Sequence, residues 1–335
     1  MNILVDMPVF PPSLKLLSQL PGVNVKLVAE PQEKRRTLPT ELVKDCSILF
    51  CTIPPGNYEE MQSLKLIQVS SAGYSQLVDL SLPEKGIRAC NALGVFDVPI
   101  AEWNIAMMIN LIRDMRGLMH NQDVKTWDRA ARFQREIRGS VVGIWGYGGI
   151  GRETARLAKS MGMTVHVLGR NAPSARKNIY NVPGTGDVSA KLPDRFFSMN
   201  EKELFLRELD FLVMAIPQVN DTVGIVGEAE LKMLPPSAYL LNPARGPLVQ
   251  EQALLDALQQ GWIAGAALDT HYHYPMPADH PLWSMPNVIM TPHISGSSGG
   301  TKFLERTWDI FVQNVRLFRK GEVLLNELTP AQLKG

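Results

Sequence analysis

The sequence contains little cysteine, almost no net charge and no long apolar run. Its three cysteines, Cys46, Cys51 and Cys90, follow no metal-binding or redox spacing, and their odd number argues against a disulfide framework. The formal net charge of +1 gives no electrostatic reason to expect binding to nucleic acid or to an anionic membrane surface. Because no apolar stretch approaches the length of a membrane span, we expect a soluble, cytoplasmic protein with buried, reduced thiols.

What the sequence does contain is a regular alternation of two kinds of segment. Its 335 residues, 45% apolar and 20% charged, are enough for two globular domains of ordinary size. Short runs rich in β-branched residues alternate with stretches whose apolar residues have helical spacing. This alternation predicts an α/β architecture, with parallel sheets wound by crossover helices. The candidate strands of the first part are Ile3–Val5, Val23–Leu27, Ser47–Cys51, Leu66–Val69 and Ile87–Cys90.

A long segment separates these strands from a second set. Residues Ile100–Met119 keep a helical apolar period, which predicts one long helix that crosses between lobes or forms a subunit interface. Further along, the apolar runs VVGIWG, TVHVLG, FLVMAIP, AYLLN, AGAALD and NVIMTPH predict strands buried on both faces. Residues 175–200 are polar and irregular, which indicates a surface excursion. The stretch Phe303–Lys320 predicts a last helix, ended by Gly321.

The most specific local motif is a glycine-rich turn between a predicted strand and a predicted helix. It comprises Gly146, Tyr147, Gly148, Gly149, Ile150 and Gly151, directly after VVGIW. In a dinucleotide-binding turn the first glycine permits the tight bend, the second lets the backbone approach a pyrophosphate, and the last lets the helix pack against the strand. The pyrophosphate then lies at the helix N-terminus, where free amides and the helix dipole favour negative charge. A tight turn without a ligand is the alternative, but the strand-to-helix context favours the cofactor.

The residues after the next predicted strand bear on which nicotinamide cofactor binds. A chain that prefers NAD(H) usually ends this strand in an acidic residue, which holds the ribose hydroxyls and repels a 2′-phosphate. Here the chain reads Gly169, Arg170 and Asn171, followed by Arg176 and Lys177. A guanidinium in place of the carboxylate suits a 2′-phosphate, so the sequence favours NADP(H) over NAD(H). In the alternative, Arg170 covers the adenine and the other two cations form a solvated turn.

Three polar residues follow predicted strands of the second set. Arg245 lies in NPARG, Asp269 ends GAALD, and His293 ends NVIMTPH. Ligands of open α/β sheets bind at the carboxyl ends of the strands. These three side chains are therefore candidates for one site.

Together with the glycine-rich turn, these segments make the chain resemble the D-isomer-specific 2-hydroxyacid dehydrogenase family, which includes glyoxylate and hydroxypyruvate reductases. The motifs follow the family's order and approximate spacing over nearly the whole chain. The resemblance implies two doubly wound parallel-sheet domains. A Rossmann cofactor domain, residues 98–293, would be inserted into a flavodoxin-like substrate domain formed by residues 1–97 and 294–335. The resemblance also implies a homodimer, joined through the cofactor domain and its long leading helix.

The resemblance assigns roles to residues of this chain. Arg245 would hold the substrate carboxylate and polarise its 2-keto oxygen, since a guanidinium fork binds oxygens in one plane and keeps its charge. His293 would give a proton to the keto oxygen as hydride arrives, or remove one in the reverse direction. The backbone amides of Ser71, Ala72 and Gly73 match the loop that binds the substrate carboxylate. A helix-capping surface arginine and a buried core histidine are the alternatives, and both suit the motifs less well.

Further cofactor contacts are implied at the ends of neighbouring strands. Asp269 matches the position that faces the nicotinamide amide. The matches that line the ribose side of the cofactor are Ile216, Pro217, Thr222, Pro243 and Ala244. The implied reaction is hydride transfer between NAD(P)(H) and a small 2-keto acid or D-2-hydroxyacid, and the sequence does not name which one.

One residue departs from the family pattern. Most relatives have a glutamate five residues after the equivalent of Asp269, hydrogen-bonded to the catalytic histidine, whereas this chain has Tyr274. We interpret Tyr274 as a neutral catalytic-site residue that accepts a hydrogen bond from the ring of His293 and fixes its tautomer. Because a glutamate would raise the histidine pKa, we expect reduction here to fall off at lower pH than in relatives with glutamate. The formate dehydrogenases carry glutamine at this position, and Tyr274 together with Trp103 argues against assigning the chain to them.

The histidines around Tyr274 raise the question of a metal. His271, His273 and His280 could in principle ligate zinc. No cysteine assists them, prolines stiffen the segment, and hydride transfer needs no metal, so we expect no metal and an aromatic loop that lines the substrate pocket. In an extended segment, alternation would point His271 and His273 away from the side taken by Tyr274.

Two functions follow from these observations. The first is a D-2-hydroxyacid dehydrogenase that reduces a 2-keto acid, with NADP(H) favoured and NAD(H) as the alternative. The second is a nucleotide-sensing binding protein on the same fold with little turnover, which the loss of the glutamate suggests. The presence of Arg245 and His293 favours the enzyme.

Overall fold

Two separate parallel sheets organise the chain, each in its own unit. The computed structural model describes residues 1–78, 80–129 and 135–334. Its contacts define unit 1 as Met1–Phe96, Arg176–Val182 and Ser298–Gly335, and unit 2 as Asp97–Ala175 and Pro183–Ser297. The chain thus passes from unit 1 to unit 2 after residue 96 and returns to unit 1 after residue 297. The sequence analysis placed these two domain boundaries after residues 97 and 293. The inclusion of Arg176–Val182 in unit 1 is not indicated by the sequence.

Unit 1 is built around a five-stranded parallel sheet. Its elements in the first part of the chain are β1 (Asn2–Asp6), α1 (Pro11–Ser18), β2 (Asn24–Leu27), α2 (Thr40–Val43), β3 (Ile48–Cys51), β4 (Leu66–Val69) and β5 (Arg88–Cys90). The strand order is β2-β1-β3-β4-β5, with every neighbouring pair parallel. All residues of β3 and β4 are buried, as expected of central strands in a parallel sheet. The five predicted strands are confirmed, each within one residue at either end.

Unit 2 is built around a seven-stranded parallel sheet. Its elements are α3 (Asp97–Ile112), α4 (Met115–Asp123), β6 (Val141–Trp145), α5 (Gly149–Ser160), β7 (Thr164–Gly169), β8 (Arg195–Ser198), α6 (Lys202–Arg207), β9 (Phe211–Met214), α7 (Glu228–Met233), β10 (Tyr239–Asn242), α8 (Glu251–Gln259), β11 (Gly265–Leu268) and β12 (Val288–Met290). The order is β12-β11-β10-β9-β6-β7-β8, so the chain builds outward from β6 in one direction and from β9 in the other. This is the doubly wound Rossmann arrangement. The predicted fold class is confirmed in both units.

The end of the chain completes unit 1. It forms α9 (Thr301–Lys320) and α10 (Pro330–Leu333). Trp308 and Phe311 of α9 are fully buried, and their rings lie 5.4 and 4.2 Å from the ring of Phe50 in β3. The helix ends at Gly321, whose φ of +70° is the left-handed conformation that stops a helix. The predicted last helix and its glycine stop are confirmed.

The long helix expected before the second sheet is in fact two helices. Asp114 separates α3 from α4 with a φ of +45°, and its carboxylate accepts a hydrogen bond from the Gly117 amide at 3.2 Å. Aspartate tolerates this conformation and caps helices well, so the helical backbone is interrupted at Asp114. The helical spacing of apolar residues in the sequence nevertheless continues across the interruption. The prediction of one continuous helix was wrong. Among the described helices, none combines the length and apolar character that a membrane crossing requires.

The segment expected to be a surface excursion is partly buried. It contains β8, which pairs with β7, and Phe197 of that strand is fully buried. Tyr180 and Asp187 are also buried. The prediction was wrong at these positions, because single buried residues in a polar stretch leave no periodic pattern in the sequence.

All three cysteines are buried as free thiols. Burial raises the pKa of Cys46 to about 11. Burial likewise raises the pKa of Cys51 and of Cys90 far above the usual range of a thiol. The prediction of buried thiols is confirmed.

Two adjacent leucines of α1 provide a test of how unit 1 is stabilised. Leu17 is fully buried in the core, whereas Leu16 is 43% exposed. We expect Leu17→Ala to lower the free energy of unfolding by about 2–5 kcal/mol, because it removes buried methyl groups and leaves a cavity. Leu16→Ala should change it by less than about 0.5 kcal/mol. Urea unfolding followed by circular dichroism measures both, and equal losses would contradict this packing.

Candidate active site

Unit 2 brings most of the candidate residues to one edge of its sheet. Its strands are parallel, so the segments that follow them leave from the same edge. In spatial order from β7 to β12, the candidates after the strands are Arg170, Gly146, Ile216, Arg245, Asp269 and His293. The strand order reverses between β6 and β9, which is where open α/β sheets bind nucleotides. Gly146 and Ile216 meet there, since a methyl group on Gly146 would lie 2.7 Å from Cγ2 of Ile216.

Close packing explains the first and last glycines of the turn. Gly146 adopts a φ of +101°, and a side chain there would also meet the carbonyl oxygen of Ala215 at 2.6 Å. A side chain on Gly151 would collide with the carbonyl oxygen of Gly146. The turn can therefore close tightly, with α5 packed against β6, only while both positions stay glycine.

The middle of the turn is open towards a ligand. No atom lies within 4 Å of the position that a Cβ of Gly148 would take, so the backbone is bare where α5 begins. Ile150 lies in the first turn of that helix. A side chain on Gly149 would collide with the carboxylate of Asp97, which packs against the turn from the start of α3. The open backbone beside a helix N-terminus fits the pyrophosphate of a dinucleotide.

Two side chains beside the turn form a polar cluster with Asp187. The hydroxyl of Tyr147 donates to the Asp187 carboxylate at 2.7 Å, and the guanidinium of Arg152 lies 4.9 Å from the centre of the Tyr147 ring. Arg152 also donates to the carbonyl oxygens of Tyr147, Asp187 and Ser174. Burial lowers the pKa of Arg152 and raises that of Tyr147. The buried guanidinium of Arg152 thus bonds to the glycine-rich turn and to the later segments at Ser174 and Asp187. The sequence analysis did not predict this cluster.

The cationic segment after β7 is divided between the two units. Arg170 is exposed and, among the described residues, has no hydrogen-bond partner. Gly169, the last residue of β7, has no side chain and therefore places no carboxylate next to Arg170. Arg176 and Lys177 belong to unit 1, so of these three cations Arg170 is the one that lies in unit 2.

Side chains fix the loops that follow β9 and β10. The hydroxyl of Thr222 donates to the Pro217 carbonyl at 2.8 Å and so closes the loop after β9. The buried side chain of Asn242 accepts hydrogen bonds from the amides of Ala244 and Arg245 and donates to the Arg245 carbonyl at 2.8 Å. Sequence reasoning missed Asn242, although a polar residue at the end of a buried strand was a signal for it.

Within the described residues, the guanidinium of Arg245 has most of its donors free. The residue is exposed, and Nη1 donates to the carbonyl oxygen of the preceding Ala244 at 2.6 Å. Pro243, between Asn242 and Ala244, is buried and directs the chain out of β10. The short turn after Arg245 is close to a neighbouring loop, because a side chain on Gly246 would meet the carbonyl oxygen of His271.

Asp269 holds the loop that carries His293. Its fully buried carboxylate accepts four hydrogen bonds, from Thr291 Oγ1, the Ile294 amide, and the amide and hydroxyl of Ser295. The indole of Trp103 donates to Thr291 Oγ1 at 3.1 Å and extends the network to α3. The role of Asp269 towards a nicotinamide amide stays a prediction, and the structure adds that both oxygens already have donors. Thr291 and Ser295 were not recognised from the sequence, although both flank His293.

His293 sits in a constrained backbone with its side chain accessible. Its φ is +56°, and its amide donates to the Asp269 carbonyl at 2.8 Å. The residue is exposed, and within the described residues its ring nitrogens have no hydrogen-bond partner. Desolvation of the ring and the nearby charge of Arg245 lower the pKa of His293, and the charge of Asp269 opposes them.

Tyr274 contacts His293 through its ring, and the expected hydrogen bond is not found among the described residues. The two ring centres lie 5.7 Å apart, and Tyr274 is 59% exposed. Its hydroxyl accepts a hydrogen bond from the amide of His271 at 3.1 Å. The segment bends after His271 instead of running extended, which returns the hydroxyl to the backbone three residues earlier. The expected alternation of side chains was therefore wrong.

The three histidines considered as metal ligands have other partners. The buried ring of His271 donates from Nε2 to the Thr291 carbonyl at 2.8 Å. Nε2 of His280 lies 2.8 Å from the carboxylate of Glu251, and Nε2 of His273 lies 3.8 Å from it. His271 is thus hydrogen-bonded to the loop that carries His293, and His273 and His280 lie beside Glu251 of α8.

The candidate substrate loop lies in unit 1, directly after β4. The hydroxyl of Ser71 accepts from Gln76 Nε2 and donates to the Gly73 carbonyl, both at 2.7 Å. The Ala72 carbonyl accepts a hydrogen bond from the side chain of Asn91 at 2.7 Å. Within the part of the chain that the structure describes, the amides of Ser71, Ala72 and Gly73 have no acceptor. These amides are available to bind an anion such as a carboxylate.

Comparison with known proteins identifies relatives of this chain. Residues 105–295 match the family described as D-isomer specific 2-hydroxyacid dehydrogenase, NAD binding domain. A glyoxylate reductase of Korarchaeum cryptofilum is 28% identical over 291 residues, which cover 84% of this chain and 82% of that enzyme.

Solved structures share the fold over nearly the whole chain. The NADPH-dependent glyoxylate/hydroxypyruvate reductase of Sinorhizobium meliloti, solved with NADP and sulfate, has a TM-score of 0.73 at 22% identity and covers 99% of both chains. A D-isomer specific 2-hydroxyacid dehydrogenase of Lactobacillus delbrueckii ssp. bulgaricus, solved with NAD, has a TM-score of 0.76 at 22% identity and covers 98% of this chain and 99% of that one. At these identities the likeness shows the fold alone.

The contact between Tyr274 and His293 predicts how a carboxylate at position 274 would act. We expect Tyr274→Glu to raise the pKa of His293 by about one unit, because an anion beside the ring favours its charged form. Tyr274→Gln, which adds no charge, should leave the pKa close to that of the parent protein. Histidine NMR titration measures both, with the His293 signal identified by its loss in His293→Gln. An equal shift in the two variants would contradict the electrostatic explanation.

Proposed function

The chain belongs to the D-isomer-specific 2-hydroxyacid dehydrogenase family, and from that premise we propose that it is a nicotinamide-dependent reductase of a small 2-keto acid. The observation that carries the proposal is the placement of Arg245, Asp269 and His293 after β10, β11 and β12. These strands belong to the same sheet whose β6 leads into the glycine-rich turn. A guanidinium, a buried acid and an accessible histidine at one edge suit the reduction of a carbonyl next to a carboxylate.

The cofactor would supply the hydride, and the protein would hold it along the edge of the sheet. The open backbone at Gly148 and the first amides of α5 would bind the pyrophosphate. The residues that would line the ribose side are Ile216, Pro217, Thr222, Pro243 and Ala244, in the loops after β9 and β10. The hydrogen bonds of Thr222 and Asn242 keep those loops in place before any ligand arrives.

Arg245 would bind the substrate and polarise its carbonyl. With Nη1 bonded to the Ala244 carbonyl, its remaining N–H donors can bind a carboxylate oxygen and the 2-keto oxygen in one plane. The permanent positive charge would stabilise the negative charge that develops on the keto oxygen during reduction. In unit 1, the amides of Ser71, Ala72 and Gly73, which have no acceptor among the described residues, are further candidates to bind a substrate carboxylate.

His293 would donate the proton to the keto oxygen. The four hydrogen bonds on Asp269 fix the loop of His293, and the Tyr274 ring lies 5.7 Å from the imidazole, measured between ring centres. Reduction requires the protonated ring, and the pKa of His293 is lowered by desolvation and by Arg245. The reduction rate should therefore fall as the pH rises through this lowered pKa, at a lower pH than in relatives with a glutamate partner.

NADP(H) is the favoured cofactor in this proposal, with NAD(H) as the alternative. Arg170 is exposed and follows β7 in place of an acidic residue, so it can bind a 2′-phosphate without losing another bond. Relatives of this fold have been solved with NADP and with NAD, so the fold is compatible with both.

A second function, a nucleotide-sensing protein with little turnover, has one observation in its favour. Within the described residues, no side chain accepts a hydrogen bond from the ring of His293, so no acid or phenol fixes its tautomer. A turnover assay separates the two functions. Tight cofactor binding without turnover of any 2-keto acid would favour the sensor.

We also propose that the protein is a cytoplasmic homodimer. Helix α4 has no buried residue, and Met119, Val124 and Trp127 are 56%, 53% and 90% exposed. Met119 and Trp283 line a groove of about 450 Å³ on unit 2. Arg116, His120 and Asp123 also line this groove, and exposed apolar side chains within a polar surround are typical of an interface between subunits. The free thiols suit a reducing compartment, which cell fractionation would test.

The central prediction is reductase activity that depends on Arg170 for its cofactor preference. We expect oxidation of NADPH, followed by absorbance, with at least one of glyoxylate, hydroxypyruvate and phenylpyruvate. Arg170→Ala should raise the KM for NADPH by about tenfold, the loss of one charge-assisted bond, and leave that for NADH unchanged. Lys177→Ala is the matched control and should change neither.

The outcomes separate the parts of this proposal. Activity that prefers NADH would keep the reductase and reject the role of Arg170. A loss of activity of about 10²–10⁴-fold in His293→Gln, with little change in cofactor binding, is expected of a proton donor. Activity that survives this substitution would reject the role of His293.

The dimer has its own test. We expect sedimentation to give the mass of two chains, and Trp127→Glu to yield monomers because it places a charge in an apolar contact. Leu204→Glu changes an exposed leucine of α6 and is the control that should remain dimeric. A parent protein that sediments as a monomer at micromolar concentration would reject the homodimer.

A further inference from the structure

The segment that carries Arg170 has few contacts of its own. Residues 170–175, which we call the Arg170 segment, directly follow β7 and have no regular secondary structure. All of them except Pro173 are exposed. Within the described residues and outside the pairing of β7 with β8, one hydrogen bond reaches this segment, from Nη2 of Arg152 to the Ser174 carbonyl at 2.6 Å. The path of the segment therefore depends on a side chain of α5.

Arg152 is itself fixed by the glycine-rich turn. The residue lies near the start of α5 and is 5% exposed. Its Nε donates to the Tyr147 carbonyl at 3.2 Å, and its guanidinium lies 4.9 Å from the centre of the Tyr147 ring. A guanidinium is planar and its donors point in fixed directions, so a bond to Tyr147 on one side determines where the other donors lie.

A second support lies beyond the guanidinium, at Asp187. Nη1 of Arg152 donates to the Asp187 carbonyl. The Asp187 carboxylate accepts hydrogen bonds from the Tyr147 hydroxyl at 2.7 Å and from the amides of Lys191 and Leu192 at 3.0 and 2.9 Å. Because both the turn and Asp187 hold the guanidinium, Nη2 can keep Ser174 at a constant distance from the turn.

A constant distance matters for a ligand with two anionic groups. In the proposed function the turn and α5 bind the pyrophosphate, and Arg170 binds the 2′-phosphate of the same molecule. The second contact of such a ligand adds to affinity only when its partner is already at the matching distance. Close packing at Gly146 and Gly151 fixes the turn. For the Arg170 segment, the bond from Arg152 supplies the corresponding constraint.

We infer that Arg152 is a positioning residue for cofactor preference, because it holds the Arg170 segment at the distance from the glycine-rich turn that a dinucleotide with a 2′-phosphate requires. The inference rests on the proposed function and deepens it. Arg152, the turn and the Arg170 segment all belong to unit 2. The donors of Arg152 bond to backbone carbonyls, so its effect on the 2′-phosphate is exerted through Arg170.

Two fragments of the cofactor isolate the 2′-phosphate. ADP-ribose and 2′-phospho-ADP-ribose differ only in that group, and calorimetry with the full chain gives the dissociation constant of each. In the parent protein we expect the phosphorylated fragment to bind about tenfold more tightly, the gain from one charge-assisted bond. Arg152→Met has a similar length but no donors, and it should reduce this ratio to below about twofold. A disturbed turn weakens both fragments and cancels in the ratio.

A second variant and a control accompany this measurement. Arg152→Lys keeps the charge and much of the packing, but an ammonium cannot hold two carbonyls in the plane of a fork, so the ratio should again fall below about threefold. Arg195→Met is the matched control. Arg195 begins β8 at the other edge of the sheet, is exposed and lies 4.1 Å from the centre of the Phe197 ring. It should keep the full ratio, and the thermal midpoint of each variant shows that it is folded.

A smaller ligand separates positioning from direct contact. 2′-AMP carries one phosphate and needs no fixed distance between two sites. Arg170→Ala should weaken its binding by about tenfold, whereas Arg152→Met should change it by less than about twofold. Equal weakening in the two variants would show that Arg152 binds the phosphate itself, which overturns the positioning role. In the Arg152→Met background, adding Arg170→Ala should change the ratio for the two larger fragments by less than about twofold.

The results distinguish failure of the inference from failure of the proposed function. A full ratio in folded Arg152→Met and Arg152→Lys overturns the inference and leaves the reductase and Arg170 standing. A ratio of one in the parent protein, with both fragments bound, rejects the preference for NADP(H) and the inference with it, but not the reductase. If the parent protein binds neither fragment, NADPH nor NADH, the proposed function itself fails.

Discussion

The buried carboxylate of Asp269 is the constraint on which the geometry of the site depends. A charge without contact with water is stable only if donors surround it, and here the loop after β12 supplies four of them. That loop has no regular secondary structure, so these bonds determine its path and the left-handed backbone of His293. The position of the histidine is therefore set through one buried acid.

The groups around His293 act on its pKa in opposite directions. The ring of Tyr274 lies beside His293, and desolvation, Arg245 and His271 lower its pKa while the charge of Asp269 raises it. His271 and Trp103 both bond to Thr291 and stiffen the loop without adding a negative charge. The protein thus fixes the position of the imidazole by packing and backbone bonds.

Most of the fold was accessible from the sequence, because parallel strands buried on both faces leave continuous apolar runs. The glycine-rich turn, the five strands of unit 1 and the last helix follow from such local patterns. The break at Asp114 did not, since the apolar period of α3 continues across it. β8 was missed because its sequence, RFFS, is short and begins and ends with polar residues. For the site, strand ends indicated Arg245, Asp269 and His293, whereas the partners of Tyr274 depend on a bend that no pattern in the sequence records.

Because all three cysteines lie in unit 1, their reactivity reports on local unfolding of that unit. Cys46, Cys51 and Cys90 all lie in the first 96 residues of the chain, in or beside the five-stranded sheet, and unit 2 has none. Burial keeps these thiols protonated and out of reach of solvent, so a thiol-specific reagent can react only when that sheet opens. The rate of labelling therefore follows the fluctuations of one unit while the other contributes no signal.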